Sequence, residues 1–447
     1  MSAAVEAADR LAVSPPMVIS EDARRRMADR LVAGIFVASG AAGLIYQVVW
    51  SSQLVLVFGN TTEAIGTIVT AFMAGLGFGG LAGGVIAPRL RYPLRWYGLT
   101  ELAIAAAALL VPLGFHAIDG AYRSAYDATS PGTLTLLRLG LALATVTPVT
   151  FLMGLTLPLL TRHLVTSLHN AGPRMGLLYS ANTAGAMAGS LLSGFVLIEL
   201  FGLSATAHLA VALNALAGCA ALALASRTPS PAAAGEDTGD GTTSETTPIS
   251  TVLIYAASFV SGFVALGLEV LWTRLLAEGS GSQIYQFVAI LAAFLFGIAA
   301  GGALYRALGS PARDSVHTLA LLFVGVAAAS VVTVPLGTLW HVNFMARVII
   351  LLPATTCMGY AFPLAARLVS RDVADSARAM GLLYAWNTVG SILGTLAAAF
   401  VLTSTLGTNN SILILAAADS AVALLLLLAL RPAPLATAAA VLVLAIP

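Results

Sequence analysis

Along the whole chain, long apolar runs alternate with short polar stretches. The runs lie at roughly 31–57, 62–87, 98–118, 135–161, 176–201 and 204–226, then at 250–275, 284–305, 316–340, 343–368, 380–405 and 409–430. An α-helix rises about 1.5 Å per residue and a bilayer core is about 30 Å thick, so about 20 apolar residues cross it. The pattern predicts an all-α polytopic membrane protein with about twelve transmembrane helices. A further apolar run at 435–446 is too short to span and reads as a truncated helix. Between the sixth and seventh runs, residues 227–248 are rich in Pro, Gly, Ser and Thr and carry four acids. That composition cannot bury a core and predicts a flexible linker. The expected organisation is an N-terminal segment at 1–30, six helices at 31–226, a linker at 227–249, six helices at 250–430, and a short apolar end at 431–447.

Composition sharpens the class. Hydrophobic residues make up 59% of the chain and charged residues 9%, against about 25% charged in a soluble globular protein. A water-soluble enzyme, a disordered chain and a disulfide-stapled secreted domain are thereby excluded. The net charge of +1 gives no electrostatic argument for nucleic acid. Cys219 and Cys357 sit inside apolar runs, and the six histidines are scattered. Neither set has metal-ligand spacing, so no metal and no cofactor are expected. All 21 basic residues are arginine. With the N-terminus inside, inner segments hold Arg24, Arg25, Arg26, Arg30, Arg89, Arg91, Arg95, Arg162, Arg174, Arg306, Arg313, Arg367, Arg371, Arg378 and Arg431, while outer loops hold Arg123. This bias predicts a cell (inner) membrane protein with both ends and the linker cytoplasmic. Residues 1–30 have no apolar core and do not read as a cleavable signal peptide.

The two halves repeat each other. SGAAGLIYQVVW from Ser39 aligns with SGFVALGLEVLW from Ser261 at an offset of 222, which holds for about forty residues and pairs Trp50 with Trp272, Gly75 with Gly297 and Gly79 with Gly301. A second block aligns at an offset of 205: Met153 with Met358, Pro148 with Pro353, Pro158 with Pro363, and MGLLYSANTAG from Met175 with MGLLYAWNTVG from Met380. Six spans per half is an even number, so both halves share one orientation about an axis along the membrane normal. That is the parallel-repeat plan of the major facilitator superfamily. The glycine pairs Gly75/Gly79, Gly185/Gly189, Gly297/Gly301 and Gly390/Gly394 have the spacing that brings membrane helices into close contact.

The strings SG-x-x-x-L-x-x-[QE]-V-x-W, AF-x-x-G-x-x-x-GG and MGLLY-x-x-NT-x-G resemble the membrane portion of fused major-facilitator/spermidine-synthase proteins. In that family a soluble aminopropyltransferase-like domain follows the membrane part. No Gly-rich strand-turn-helix unit for a nucleoside cosubstrate is visible in this chain, so the synthase residues are not carried over and no catalytic residue is expected. The loop from Gly84 to Arg89 loosely resembles the superfamily's cytoplasmic motif, with Pro88 where an acid is expected.

Ionisable groups at membrane depth cost about 2.5–3.5 kcal/mol on insertion scales and mark function. The candidates are Glu269, Arg274, Arg138, Arg347, Asp419, Glu101 and Glu199. The family plan implies that helices 1, 4, 7 and 10 line a central cavity, which places Glu269 and Arg274 on helix 7, Arg138 on helix 4 and Arg347 on helix 10. Gln47 is the repeat equivalent of Glu269. The expected substrate site is Glu269, Gln47, Tyr46, Trp50, Trp272, Arg138 and Arg347. Its carboxylate would bind an ammonium or carry a proton, and its tryptophans would add cation–π contact. An ion pair of Glu269 with Arg138 or Arg347 is the structural alternative. Coupling or gating candidates are Glu269, Asn182, Asn387 and Asp419; Asn182 and Asn387 also suit interhelical bonding. Glu101 and Glu199 are expected near span ends, in reach of water. The expected function is secondary transport of a small organic solute, a polyamine or other organic cation, within the lipid bilayer. The alternative is a membrane platform partnered with a spermidine-synthase-like domain or chain.

Overall fold

The computed structural model describes residues 21–58, 62–126, 130–226, 251–277, 283–309, 314–337, 344–370 and 373–430. The linker at 227–249 and the apolar end at 431–447 lie outside the described residues. In the first half, α1 (Glu21–Phe58) and α2 (Thr62–Ile86) are followed by α3, whose two pieces are Pro93–Ala108 and Val111–Tyr126. Next come α4 (Pro131–Leu164), α5 (Leu168–Leu192) and α6 (Ile198–Ala225). The second half repeats this with α7 (Thr251–Ala277), α8 (Gln283–Leu308), α9 (Val316–Gly337), α10 in two pieces (Phe344–Val348 and Leu352–Val369), α11 (Val373–Leu396) and α12 (Thr403–Ala429).

Among the described residues, ten helical stretches are long and apolar enough to cross a membrane, and two of them, 171–225 and 375–429, are 55 residues long. A straight helix of that length would measure about 80 Å, far more than a bilayer. Each is broken at a glycine, Gly202 with φ 74° and Gly407 with φ 75°. In the first half, α5 and α6 on either side of the break both pack against α1. The chain therefore reverses at the glycine, and each long stretch supplies two spans. The two glycines are 205 residues apart, the offset of the second sequence block. Just before each lies a π-helical turn, 193–197 and 397–402.

Packing follows the repeat as well. In the first half α2 packs on α4, α1 on α5 and α3 on α6; in the second half α8 packs on α10, α7 on α11 and α9 on α12. The halves meet through α2 against α11 and α5 against α8, two equivalent contacts. Lipid tails are as apolar as leucine, so these helices gain little from burying hydrocarbon and must gain from close packing. Glycine supplies it. Gly79 lies against the Phe151 carbonyl and Gly154, and Gly301 lies against the Thr356 carbonyl and Gly359. One apolar core fills the first half around Trp50, Phe72 and Phe115, and a second fills the other half around Trp272, Phe294 and Leu351. A third is shared by both halves, with Phe36, Met175, Tyr305, Phe362 and Met380. It lies toward the membrane face that carries Arg89, Arg162, Arg306 and Arg367, and it closes the halves together there.

Candidate functional site

Beyond that shared core the halves part around a cavity of about 390 Å³. Helical periodicity aims three stripes at it. From α1 come Phe36, Ser39, Gly40, Gly43 and Gln47; from α7, Leu266, Glu269, Val270, Thr273 and Arg274; from α11, Tyr384, Asn387, Thr388, Ser391 and Thr395. Residues three or four apart share one helix face, so each set forms a continuous strip. Helices α2, α4, α5 and α8 complete the wall, chiefly with apolar side chains such as Phe72, Met153, Phe287 and Phe294. A mostly apolar chamber with a few converging polar groups is the usual form of a small-molecule site.

The wall brings Glu269 and its repeat equivalent Gln47 into one cavity, together with Asn182 and Asn387. Glu269 is the one carboxylate among its described lining residues. Arg274 lines the same cavity one and a half turns further along α7. Asn387 also ties two helices together, because its Nδ2 donates to the Ser258 carbonyl at 3.1 Å. Tyr179 and Tyr384, expected beside the two asparagines, line the wall too. Tyr179 stacks on Phe362, ring centroids 4.7 Å apart.

Other expected members stand elsewhere. Tyr46 and Trp50 stack on each other, centroids 4.8 Å apart, inside the core of the first half. Trp272 is buried in the core of the second half, and its Nε1 donates to Thr333 Oγ1 on α9 at 2.9 Å. All three lie off the stripe that faces the cavity, so the cation–π box read from the sequence is not formed at this wall. None of the lining residues comes from α10; the expectation that helix 10 lines the cavity is corrected. Arg347 on that helix is buried and donates to the Gly337 carbonyl at 3.3 Å, so it anchors α10 to the end of α9 instead of reaching Glu269. The side chain of Arg138 lies outside the described residues. Asp419 is 1% exposed on α12, away from the cavity wall.

Glu101 is a second correction. It is not near water: its exposure is 0%. Ser39 Oγ donates to its Oε1 at 2.6 Å, and Asn214 Nδ2 donates to its Oε2 at 2.5 Å. The three residues come from α3, α1 and α6. Sequence reading did not pair them, because their separations of 62 and 113 residues leave no local spacing to detect. The signals available were the serine that opens the repeated SG string and an asparagine inside an apolar run.

Comparison with known proteins agrees with this architecture. The family model described as Major Facilitator Superfamily matches residues 31–395. No curated protein sequence matches the chain. Among solved structures, the chain is similar to the human organic anion transporter TETRAN, at 14% identity over 92% of this chain and 100% of that one, with a TM-score of 0.53. It is similar to the E. coli fucose:proton symporter FucP, at 15% identity over 91% and 99%, TM-score 0.55. It is also similar to a bacterial homologue of the iron transporter ferroportin in an outward-facing state, at 15% identity over 93% and 99%, TM-score 0.58. At such identities the likeness establishes the shared fold. With a family match over most of its length and two six-helix repeats closed around a central chamber, this chain belongs to the major facilitator superfamily and is a multi-pass membrane secondary transporter of a small solute.

Proposed function

We propose that the solute is a small organic cation, an amine or polyamine, held in the central cavity by Glu269, with the arginine-rich face of the protein on the cytoplasmic side. The observation that carries this reading is the one carboxylate among the described residues of a mostly apolar wall, set beside neutral amides. An ammonium entering the chamber would exchange its water shell for a charge-assisted hydrogen bond, which is stronger than a neutral one. Gln47, Asn182 and Asn387 offer amide oxygens to further N–H groups, and the aromatic wall suits the methylenes between them. Arg274 sets the polarity along α7, because it repels a cation from one end of the stripe and favours its seat at Glu269. The motif resemblance to the fused spermidine-synthase family makes a polyamine the first solute to try. A platform serving a separate synthase has no use for an enclosed polar-tipped chamber, so the cavity favours transport.

The test is uptake of labelled spermidine into proteoliposomes, with and without a pH gradient. Saturable flux is expected for the wild type. Glu269→Gln is expected to lower it at least tenfold, on the scale of one charged hydrogen bond of about 1.5–3 kcal/mol. Flux no higher than in empty liposomes, for spermidine and for a panel of simpler amines, would overturn the reading.

A further inference from the structure

We infer that Glu101, one layer behind the cavity, is the proton-binding acid of the transport cycle and that the Ser39 hydroxyl reports its state to the cavity. The inference treats the cavity as the solute site, as above, but does not depend on which solute occupies it.

The geometry of the three-residue cluster is asymmetric. Both oxygens of the Glu101 carboxyl face a donor, Ser39 Oγ on one side and Asn214 Nδ2 on the other. That suits the ionised form, which only accepts. When a proton arrives, the two sides are not equivalent. An amide nitrogen has no lone pair to offer, so a proton on Oε2 would point at a donor until the whole Asn214 amide turned over to present Oδ1, which has no hydrogen-bond partner among the described residues. A hydroxyl both donates and accepts. The proton therefore settles on Oε1, and Ser39 turns so that its oxygen accepts from the new O–H.

Ser39 also lines the central cavity, and its turn reaches the solute. With Glu101 ionised, the serine proton is committed to the carboxylate and its lone pairs are left for a donor in the cavity. With Glu101 protonated, the serine O–H is released to point at an acceptor. The step balances: a hydronium ion in the cavity gives a proton to the serine oxygen and becomes water, the proton already on that oxygen passes to Glu101 Oε1, and the hydroxyl is restored. Protonation of a hidden carboxyl thus inverts the hydrogen-bonding polarity of one wall position, and a donor-rich solute and the proton oppose each other.

The surroundings leave Glu101 as the group that titrates here. The titratable groups facing it are the hydroxyls of Tyr97 on its own helix and Tyr46 on α1; α6 brings Asn214. Among the described residues of α4, which also packs against α3, no titratable side chain is set against it. The second repeat is built differently at the same place. At an offset of 205 the counterpart of Asn214 is Asp419, and at an offset of 222 the counterpart of Glu101 is Phe323. Both are buried. Asp419 Oδ1 has no hydrogen-bond partner among the described residues, and Asp419 does not reach the cavity wall. A carboxyl linked to the cavity through a hydroxyl is therefore a feature of the first half.

Two measurements decide the matter. The first needs no solute: infrared difference spectra of the whole protein in liposomes as pH is stepped, using protons alone as the probe. A protonated-carboxyl band that titrates in the wild type is expected to vanish in Glu101→Gln and to persist in Asp419→Asn. Ser39→Ala removes a donor to the ionised form and is expected to raise the proton affinity about tenfold, one pH unit. The second uses labelled spermidine. Glu101→Gln is expected to keep exchange of spermidine across the membrane but to lose accumulation driven by a pH gradient, whereas Glu269→Gln loses both. A titrating band unchanged in Glu101→Gln overturns the inference, and so does gradient-driven accumulation that survives that substitution. If no amine is transported but the band follows Glu101 and shifts in Ser39→Ala, the solute reading fails and the proton site stands.

Discussion

Gln47 and Glu269 occupy the same place in the two repeats and differ by one charge. Both line the cavity, so the repeat axis relates a neutral amide to a carboxylate across the solute's path. If the carboxylate acts on the solute and not on its own helix, its charge is portable. The double exchange Gln47→Glu with Glu269→Gln is expected to recover amine binding to within about tenfold of the wild type, where Glu269→Gln alone loses at least that much. Competition of unlabelled amines against labelled spermidine in proteoliposomes measures both. No recovery would mean that Glu269 acts through its own half. The aromatic residues belong to a different account. Trp272 contributes one buried hydrogen bond to Thr333 and a large apolar volume. Trp272→Phe keeps most of the volume and removes the N–H, so it is expected to cost about 1 kcal/mol of stability, read as a lower midpoint of thermal unfolding in detergent. Because the ring stands in the core and not at the wall, the apparent affinity for amine should not change.

At the scale of the helix, two glycines do work that no other residue can do cheaply. Gly202 has φ 74° and ψ 175°, a region open in practice to glycine alone. Any side chain there carries a penalty of about 1–3 kcal/mol. Gly202→Ala and Gly407→Ala are each expected to lower thermal stability by that amount. Space is not the reason, since a Cβ at either position would meet nothing within 4 Å; a loss smaller than about 0.5 kcal/mol would show that the turn relaxes into another conformation. These turns also mark where sequence legibility ended. Run lengths and the 222 and 205 offsets carried the number of spans, the repeat and the glycine contacts, because each is written in local spacing or in the comparison of one half with the other. The stripe on α1 that includes Gln47, and the one on α7 that includes Glu269, were legible for the same reason. The division of α3 at 109–110 and of α10 at 349–351 was not read, although Pro112 and Pro353 stand just after the two breaks and each removes a backbone donor from the helix. Tyr46 and Trp50 were assigned to the site by proximity to Gln47 in the chain, yet Tyr46 is turned from it by about 100°, enough to put its ring in the core, where Trp50, four residues on, stacks against it. The Glu101 cluster was hidden because three helices far apart in sequence meet there.

For the molecule as a whole, the halves touch along two helix pairs, and the apolar core they share sits toward one membrane face. At the arginine-rich end, α2 meets α11 backbone to backbone, Gly84 against Gly381, and α8 meets α5 with Gly302 against Ser180 and Tyr305 against Gly172. The shared core seals the same region. Farther along, Gly77 on α2 still meets Thr388 on α11 and Gly194 after α5 still meets Val288 on α8, and the cavity opens between these two seams, with Thr388 and Ser391 on its wall. The structure is therefore closed at the arginine-rich face. Transport through one central site requires the halves to rock so that this face opens. Rocking needs the α2–α11 contact to be breakable, and a glycine pair holds only while no side chain intervenes. Gly84→Leu adds four carbons where a single Cβ already meets the Gly381 backbone. The added bulk penalises the closed arrangement and leaves the opened one unaffected, so the population must move toward opening at that face. In a background with Cys219 and Cys357 replaced by alanine, Thr388→Cys places a thiol on the cavity wall. A membrane-impermeant thiol reagent applied at the arginine-rich face is expected to label it at least tenfold faster when Gly84→Leu is present, a shift of about 1.4 kcal/mol in the balance between the two states. The same reagent applied at the opposite face is expected to label it more slowly, because one state gains only what the other loses. Equal rates with and without Gly84→Leu would mean that the α2–α11 contact does not gate the cavity, and closure would then rest on the apolar core around Met175, Tyr305 and Met380 alone.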